Sequence, residues 1–339
     1  MTASEIEVFS TCPSSSAFQN GSTYLARVVD VSRWSEQAGC KGILVYSDNS
    51  LVDPWIVSQI IVQSTVELCP LVAIQPVYMH PYAVAKQISS LGYLYGRRLY
   101  LNMIAGGFTN DLLALNDQTP HDKRYARLVE YTTIIKELLL GESAVNYTGE
   151  FYRVEKLKLA PRLSPGLFPG IFISGSSEAG LASAKATGAT AIKYPKPPGE
   201  EDVITDQETR YGVRVGIIAR TDEETAWRVA LERFPEDRKG QLTHQLAMKA
   251  SDSVWHRQLS RVNGEAGASP YWLGPFQNYK TFCPYLVGSY ERVAQELGSY
   301  VTVGYRTFIL DIPPSEEELS HIRLVFEQVA ESVRGIRYV

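Results

Sequence analysis

The chain reads as an α/β protein of the (β/α)8 TIM-barrel class. Three features carry that expectation: eight short apolar runs recur along its 339 residues, a segment with helical spacing follows each, and no GxGxxG stands behind any run. Strands apolar along their whole length are those buried on both faces, as in parallel sheets covered by helices. Eight such units in roughly 250 residues, with insertions making up the rest, fit a closed barrel. A doubly wound open sheet is the alternative, and the missing glycine fingerprint speaks against its dinucleotide-binding form.

Taken in order, IEVFSTC (6–12) is the first strand, and 22–39 places apolar residues at helical spacing before ending in Gly39. GILVYS (42–47) leads into a helix from Pro54, LVAIQP (71–76) into 81–95, and LYLNMIAG (99–106) into 121–140. IFISG (171–175), AIKYP (191–195), VRVGIIA (213–219) and TFILDI (307–312) precede helices at 177–187, 199–209, 222–233 and 315–333. Residues 1–339 are expected to form one domain with three insertions. These are a loop at 107–120, a hairpin with a Pro-rich crossing at 141–170, and helical and aromatic sequence at 234–288.

Composition excludes several classes of function. A net charge of −4 leaves no electrostatic footprint for nucleic acid, and no Lys/Arg run suggests a membrane surface. The start, MTASEIEVFS, lacks the basic and apolar regions of a signal peptide, and no apolar stretch is long enough to span a bilayer. Cys12, Cys40, Cys69 and Cys283 are scattered, with no CxxC, and read as free thiols of a cytoplasmic protein. His80, His121, His244, His256 and His321 show no metal-ligand spacing, so a metal enzyme is not expected.

Active sites in such barrels lie where the strands end. The run IFISG meets Gly175, Ser176 and Ser177 at the start of a helix, where free backbone N–H groups could receive an anion. A plain helix cap by one of the serines explains the same residues. In NMIAGG (102–107), Asn102 and Gly106 could press against a ligand, or the glycines could serve only a turn with unusual dihedrals. His121, Arg124 and Tyr125 share one side of a first helical turn, either solvated or facing the mouth. Lys193 ends the sixth run beside Tyr194. It could be a Schiff-base nucleophile, a substrate or phosphate contact, or a solvated rim residue.

In order and spacing, several motifs resemble the bacterial luciferase-like flavin-dependent monooxygenases, closest to the alkanesulfonate branch. They are NSLVDPW (49–55), VAIQP (72–76), NMIAGG, HDKRY (121–125), SGSSEAG (174–180), RYGVRVGIIARTDEETAW (210–227), YWLGPFQNYKTFCPYLVG (271–288) and FILDIPPSEEE (308–318). The resemblance covers nearly the whole chain. It implies a TIM barrel that binds FMN, reduced by a separate NAD(P)H flavin reductase, and uses O₂ on a small organic substrate. It implies that Gly175, Ser176 and Ser177 hold the FMN phosphate with help from Tyr125. Asn102, Gly106 and His121 would face the rest of the flavin. It further implies an unusual peptide geometry at Gln75–Pro76 and a homodimer or homotetramer.

The departures fall on the substrate side. Arg214 is kept, but Gly216, Tyr279, Pro313 and Leu51 stand where the sulfonate branch has histidine, arginine, tyrosine and cysteine. Desulfonation of a simple alkanesulfonate is therefore not expected, and Gly216 is expected to open space for a bulkier substrate. Arg214 and Lys193 are the candidate catalytic residues. Trp55, Tyr194, Tyr271, Trp272, Tyr279 and Lys280 are the candidate substrate contacts, with Tyr271, Trp272, Phe276 and Tyr279 as a lid. Three alternatives remain: a deazaflavin-dependent oxidoreductase on the same barrel, a non-redox lyase or aldolase built on Lys193, and a catalytically inactive binding protein, against which Arg214 and the intact phosphate turn argue.

Overall fold

Wholly apolar runs need cover on both faces, and only a parallel sheet wrapped by helices supplies it. A computed structural model describes residues 4–106, 109–197, 199–206, 208–250, 267, 269–333 and 336–338. In chain order its first half contains β1 (Ser4–Thr11), α1 (Gly21–Gln37), β2 (Gly42–Val45), α2 (Pro54–Ser64), β3 (Cys69–Ile74), α3 (Pro81–Tyr95) and β4 (Tyr100–Met103). There follow α4 (Thr109–Ala114), α5 (His121–Leu140), the hairpin β5 (Val145–Thr148) and β6 (Arg153–Leu157), β7 (Gly170–Ser174), α6 (Glu178–Thr187) and β8 (Thr190–Lys193). Next come β9 (Tyr211–Arg214), β10 (Gly216–Arg220), α7 (Glu223–Arg233), α8 (Arg238–Ala250), β11 (Tyr271–Trp272) and α9 (Gly274–Gln277). The last elements are β12 (Tyr285–Ser289), α10 (Tyr290–Val303), β13 (Tyr305–Ile309), α11 (Glu316–Ser332) and β14 (Ile336–Tyr338).

The main sheet runs β13-β9-β8-β7-β4-β3-β2-β1-β14, and β13 also pairs with β1. That second pairing closes eight strands into the (β/α)8 order, with β14 added beside β1. The ladders β1/β13, β13/β9, β2/β3, β3/β4 and β4/β7 are all parallel. By contact density the chain separates into two compact units. One comprises 1–11, 34–41 and 192–339, and the other 12–33 and 42–191. The second holds β2, β3, β4 and β7, with all of β3 buried. The first holds β1, β9 and β13, together with a three-stranded sheet ordered β10-β12-β11. Among the described residues no helix is long and apolar enough to cross a membrane.

The elements differ from the sequence expectation in four places. The run 213–219 is not one strand. Val215 N–H still donates to Ile309 O at 3.0 Å, whereas Gly216 N–H donates to Pro284 O at 2.8 Å, so the chain leaves one sheet for another between them. The expected helix at 199–209 is irregular over its described residues. The insertion at 234–288 contains α8, β11, α9 and β12, while residues 251–266 and 268 lie outside the described set, as does Gly107 of NMIAGG. The bond joining Gln75 to Pro76 is trans, and among the described residues the cis peptide is Ala160–Pro161.

Close packing fixes Gly212 on β9. A Cβ there would stand 2.7 Å from Ile192 Cδ1, Thr307 Cβ and the Thr307 carbonyl oxygen. Because a backbone atom is among those neighbours, the site cannot relax by turning a side chain. Gly212→Ala is expected to cost about 1–3 kcal/mol of stability by overpacking. Urea unfolding that leaves the midpoint unchanged would contradict this.

Candidate active site

The turn after β7 separates the roles of two adjacent serines. Ser177 is the N-cap of α6, its Oγ accepting the Gly180 N–H at 3.2 Å. Ser176 is different: its Oγ is buried and has no hydrogen-bond partner among the described residues. The first turn of a helix also leaves backbone N–H groups without partners inside the helix. Tyr125, on the first turn of α5, lies beside the Ser177 side chain, which favours its ionised form slightly. A Cβ on Gly175 would lie 2.4 Å from the Tyr125 hydroxyl, so only glycine lets the phenol come this close. Burial raises the Tyr125 pKa, partly offset by the Ser177 side chain, and the group stays an uncharged donor. His121 packs edge-on against Tyr125 at 5.2 Å between ring centroids, and its Nδ1 lies 2.8 Å from Asp122 Oδ1.

One residue before the turn, Ser174 Oγ donates to Asn102 Oδ1 at 2.7 Å. That bond orients the buried Asn102 amide at the end of β4 and leaves its NH₂ as the available donor. Gly106 follows at φ 98°, in the left-handed region where glycine is unstrained, and Leu112 packs 3.0 Å from its Cβ position. The second unit therefore gathers Asn102, Tyr125, Gly175, Ser176 and Ser177 on the C-terminal ends of β4 and β7 and the start of α5.

The other unit builds a separate cluster around Arg214, the last residue of β9. Arg214 is buried, with Nη2 3.9 Å from Asp311 Oδ1. The Tyr285 hydroxyl donates to Asp311 Oδ2 at 2.7 Å, and the Arg214 side chain hydrogen-bonds Tyr194. Burial, then the Asp311 charge, raises the Tyr285 pKa, while burial raises that of Tyr194 against the lowering pull of Arg214. Burial, with Asp311 adding to it, pushes the Cys283 thiol up to about 12, so it is a neutral packing group at ordinary pH. The cluster is a buried cation held by one carboxylate, which two tyrosines steady without adding charge.

The expected open space at Gly216 does not exist. A Cβ on Gly216 would stand 2.4 Å from the Tyr285 ring. The volume that a histidine would need is filled by that ring, so Gly216 accommodates Tyr285 and not a bulkier substrate. Lys193 also lies apart. Ile192 packs against the Gly212 side of the sheet, so Lys193 projects to the opposite face, with Nζ 5.8 Å from the centroid of the Tyr305 ring. This placement gives a Schiff-base mechanism no support.

Most of the expected lid is core. Trp272 packs with Ile218, Cys283, Tyr285 and Val287, and Phe276 meets His244 edge-on at 4.6 Å. Tyr271 is pinned, its hydroxyl donating to Pro195 O at 2.8 Å. Tyr279 is half-buried at φ 56°, and Lys280 is exposed and bound to Asp237 at 2.7 Å. Trp55, on α2, is buried with an indole N–H that has no partner among the described residues. Sequence reasoning missed Ser174, Asp311 and Tyr285. Asp311 had a legible signal as an acid just past the last barrel strand, whereas nothing in the sequence marks Tyr285 as its partner.

The luciferase-like monooxygenase family model matches residues 5–307. The chain belongs to the luciferase-like monooxygenase family. This luciferase-like protein is a flavin-dependent monooxygenase, and the assignment stands at the level of the family, not of the alkanesulfonate branch. It is 34% identical over 337 residues to the 4-(γ-L-glutamylamino)butanoyl-[BtrI acyl-carrier protein] monooxygenase BtrO of Niallia circulans, covering 97% of this chain and 98% of that one. Among solved structures it shares its fold with a riboflavin lyase bound to modified FMN and riboflavin, at TM-score 0.72, 16% identity and coverage of 98% and 92% of the two chains. It also shares it with a long-chain alkane monooxygenase, at TM-score 0.71, 15% identity and coverage of 99% and 97%.

Steric conflict between Gly216 and Tyr285 is open to a direct measurement. Gly216→Ala is expected to cost about 1–3 kcal/mol in urea unfolding. Since the conflict needs both partners, combining it with Tyr285→Ala should cost less than the sum of the single changes. Additive losses would show that the ring is not what excludes a side chain at 216.

Proposed function

We propose that the protein takes reduced FMN from a separate NAD(P)H flavin reductase and, with O₂, oxygenates a small organic acyl group carried as a thioester on an acyl-carrier protein. The observation that carries the FMN half is Ser176, whose buried hydroxyl has no partner at the start of α6. A dianionic phosphate is the group such a turn suits, since it accepts from hydroxyls and backbone N–H groups at the positive end of a helix. Gly175 removes the side chain that would block the approach, and Tyr125 adds a neutral donor. The residues present fit the group. Asn102, oriented by Ser174, would donate to it through its amide NH₂, with Gly106 and His121 completing the cofactor set.

Bound reduced flavin supplies the electrons that activate dioxygen, and the chain's own residues supply place and charge. Arg214 is a buried, preorganised cation that stabilises negative charge as it develops. Asp311 and Tyr285 fix its position, and Tyr194 keeps a second donor at its side. The likeness to BtrO, at 34% identity over nearly the whole chain, supports a carrier-bound substrate over a free sulfonate. We further propose that residues 1–339 act as one catalytic domain in the cytoplasm, as a homodimer or homotetramer.

Fluorescence titration with FMN, reduced FMN and a deazaflavin cofactor separates the leading reading from its deazaflavin alternative. Ser176→Ala and Ser177→Ala are each expected to weaken FMN binding by about 1.5–3 kcal/mol while leaving riboflavin binding unchanged. Equal losses for FMN and riboflavin would place the phosphate elsewhere. Arg214→Ala is expected to lower turnover on the order of 10²–10³ with FMN affinity kept. Unimpaired turnover would remove Arg214 from the chemistry.

A further inference from the structure

The hairpin β5/β6 stands outside the barrel as a two-stranded sheet of its own, and its outward side carries a row of cations. Residues 153–162, RVEKLKLAPR, set Arg153, Lys156, Lys158 and Arg162 against one acid, Glu155, in a chain of net charge −4. All four cations are exposed. Arg153, Lys156 and Lys158 make no side-chain hydrogen bond or ion pair among the described residues. Arg162 donates to a neutral group, the Glu142 carbonyl oxygen, at 2.8 Å, so its charge is not spent on a carboxylate.

The backbone is shaped to present this row. Val145 pairs with Leu157 and Tyr147 with Val154, so Glu155 and Lys156 together oppose Asn146. That bulge turns Val154 and Leu157 inward, both half-buried, and leaves Lys156 outward at φ 48°. The Lys156 N–H is held by Asn146 Oδ1 at 2.8 Å. Lysine is uncommon in the left-handed region, which suits asparagine and glycine, and such strain gathers at functional positions. Other residues anchor the segment. Glu130 accepts the N–H groups of Glu150, Phe151 and Tyr152, while Lys86 and Ser89 on α3 donate to the carbonyls of Ala160 and Pro161. Arg153, Lys156 and Lys158 are therefore not needed to hold the hairpin in place. The row also starts near the phosphate turn: Lys123, two residues before Tyr125, pairs with Glu150 at 2.8 Å, and Tyr152 meets the His80 ring edge-on at 6.0 Å.

A carrier-bound acyl group reaches its enzyme on a pantetheine arm rooted in a phosphodiester, a fixed negative charge on an acidic helical surface. We propose that the row Arg153, Lys156, Lys158 and Arg162 docks the acidic face of an acyl-carrier protein, so that the arm enters beside the start of α5. The inference rests on reading the protein as an oxygenase of carrier-bound acyl thioesters, and it names the surface that recognises the carrier itself. Exposed charges of this kind steer the encounter and fix its register, so they bear on KM more than on the chemical step. Docking also accounts for Lys156, since asparagine there would relax the backbone but give up a charge.

Turnover with photoreduced FMN tests it on one acyl group in two forms: the 4-(γ-L-glutamylamino)butanoyl thioester of the BtrI acyl-carrier protein and that of pantetheine. Arg153→Glu combined with Lys158→Glu should raise KM for the carrier-bound form about tenfold, leaving kcat and the pantetheine thioester unchanged. Added salt should do the same to the native protein. Lys156→Asn should raise the urea midpoint, because asparagine tolerates φ 48°, and still weaken the carrier-bound substrate severalfold. Equal changes for both thioesters, a carrier KM indifferent to salt and charge reversal, or a Lys156→Asn protein that keeps the native carrier KM would each overturn the proposal. Losses that appear only when a reductase supplies the flavin would assign the row to that partner and overturn it too. Fluorescence anisotropy of the labelled carrier keeps the two readings apart. Salt-sensitive carrier binding without turnover would sink the oxygenase reading and leave this surface standing, whereas no carrier binding would overturn the surface.

Discussion

Two consecutive backbone N–H groups, on Val215 and Gly216, bond into different sheets, and the Arg214 cluster depends on that step. Because the barrel ladder stops at Val215, Arg214 becomes the last residue of its strand, where catalytic groups of such barrels are carried. Because the side sheet begins at Gly216, β12 runs parallel to β10 with Tyr285 directly opposite that glycine. Lacking a side chain, Gly216 leaves room for the Tyr285 ring, and the ring's hydroxyl reaches Asp311. Asp311 then faces Arg214, which closes the circuit. A single change of hydrogen-bonding partner thus sets the position of the cation and of the groups that hold it.

The strands and long helices were legible because local chemistry and tertiary need agree there. α3 has His80 accepting the Tyr82 N–H at its start, Pro81 in the first turn, and Gly96 at φ 63° past its end, so its bounds of 81–95 are written in the sequence. The expected helix at 121–140 is equally clear, since apolar residues recur at helical spacing from Tyr125 to Leu139. The break at Val215 could not be read. Residues 212–219 are all buried, and an apolar run looks the same whether it serves one sheet or two. The segment 199–209 had polar residues that a helix tolerates, but Tyr305 and Tyr300 instead tie Glu201 and Lys196 in an irregular course.

The candidate site was half legible for a related reason. Gly175, Ser176 and Ser177 are contiguous and sit where a strand meets a helix, so their chemistry could be inferred without knowing the fold in detail. Assigning the cap to Ser177 and the vacant hydroxyl to Ser176 required coordinates. The Arg214 cluster joins residues from four separate stretches, namely Tyr194, Arg214, Tyr285 and Asp311. No spacing rule connects them. Aromatic residues of the 271–288 region looked like a lid, yet a small sheet also needs its own core, and Trp272 and Tyr285 supply part of it while Phe276 packs against His244.

Two unmet hydrogen bonds of the second unit are a cost to its stability. A buried donor or acceptor without a partner costs about 1–3 kcal/mol, a substantial share of the stability of an ordinary domain. Natural cores rarely keep such groups, yet Ser176 Oγ and Trp55 Nε1 are both unpartnered. Each stands beside a feature of defined charge: the positive start of α6 for the serine, and the carboxylate of Asp48 for the tryptophan. Both groups can donate, so each would be satisfied by an acceptor. An anion accepting from the Ser176 hydroxyl would remove the cost at that position, which is the physical ground of the phosphate proposal.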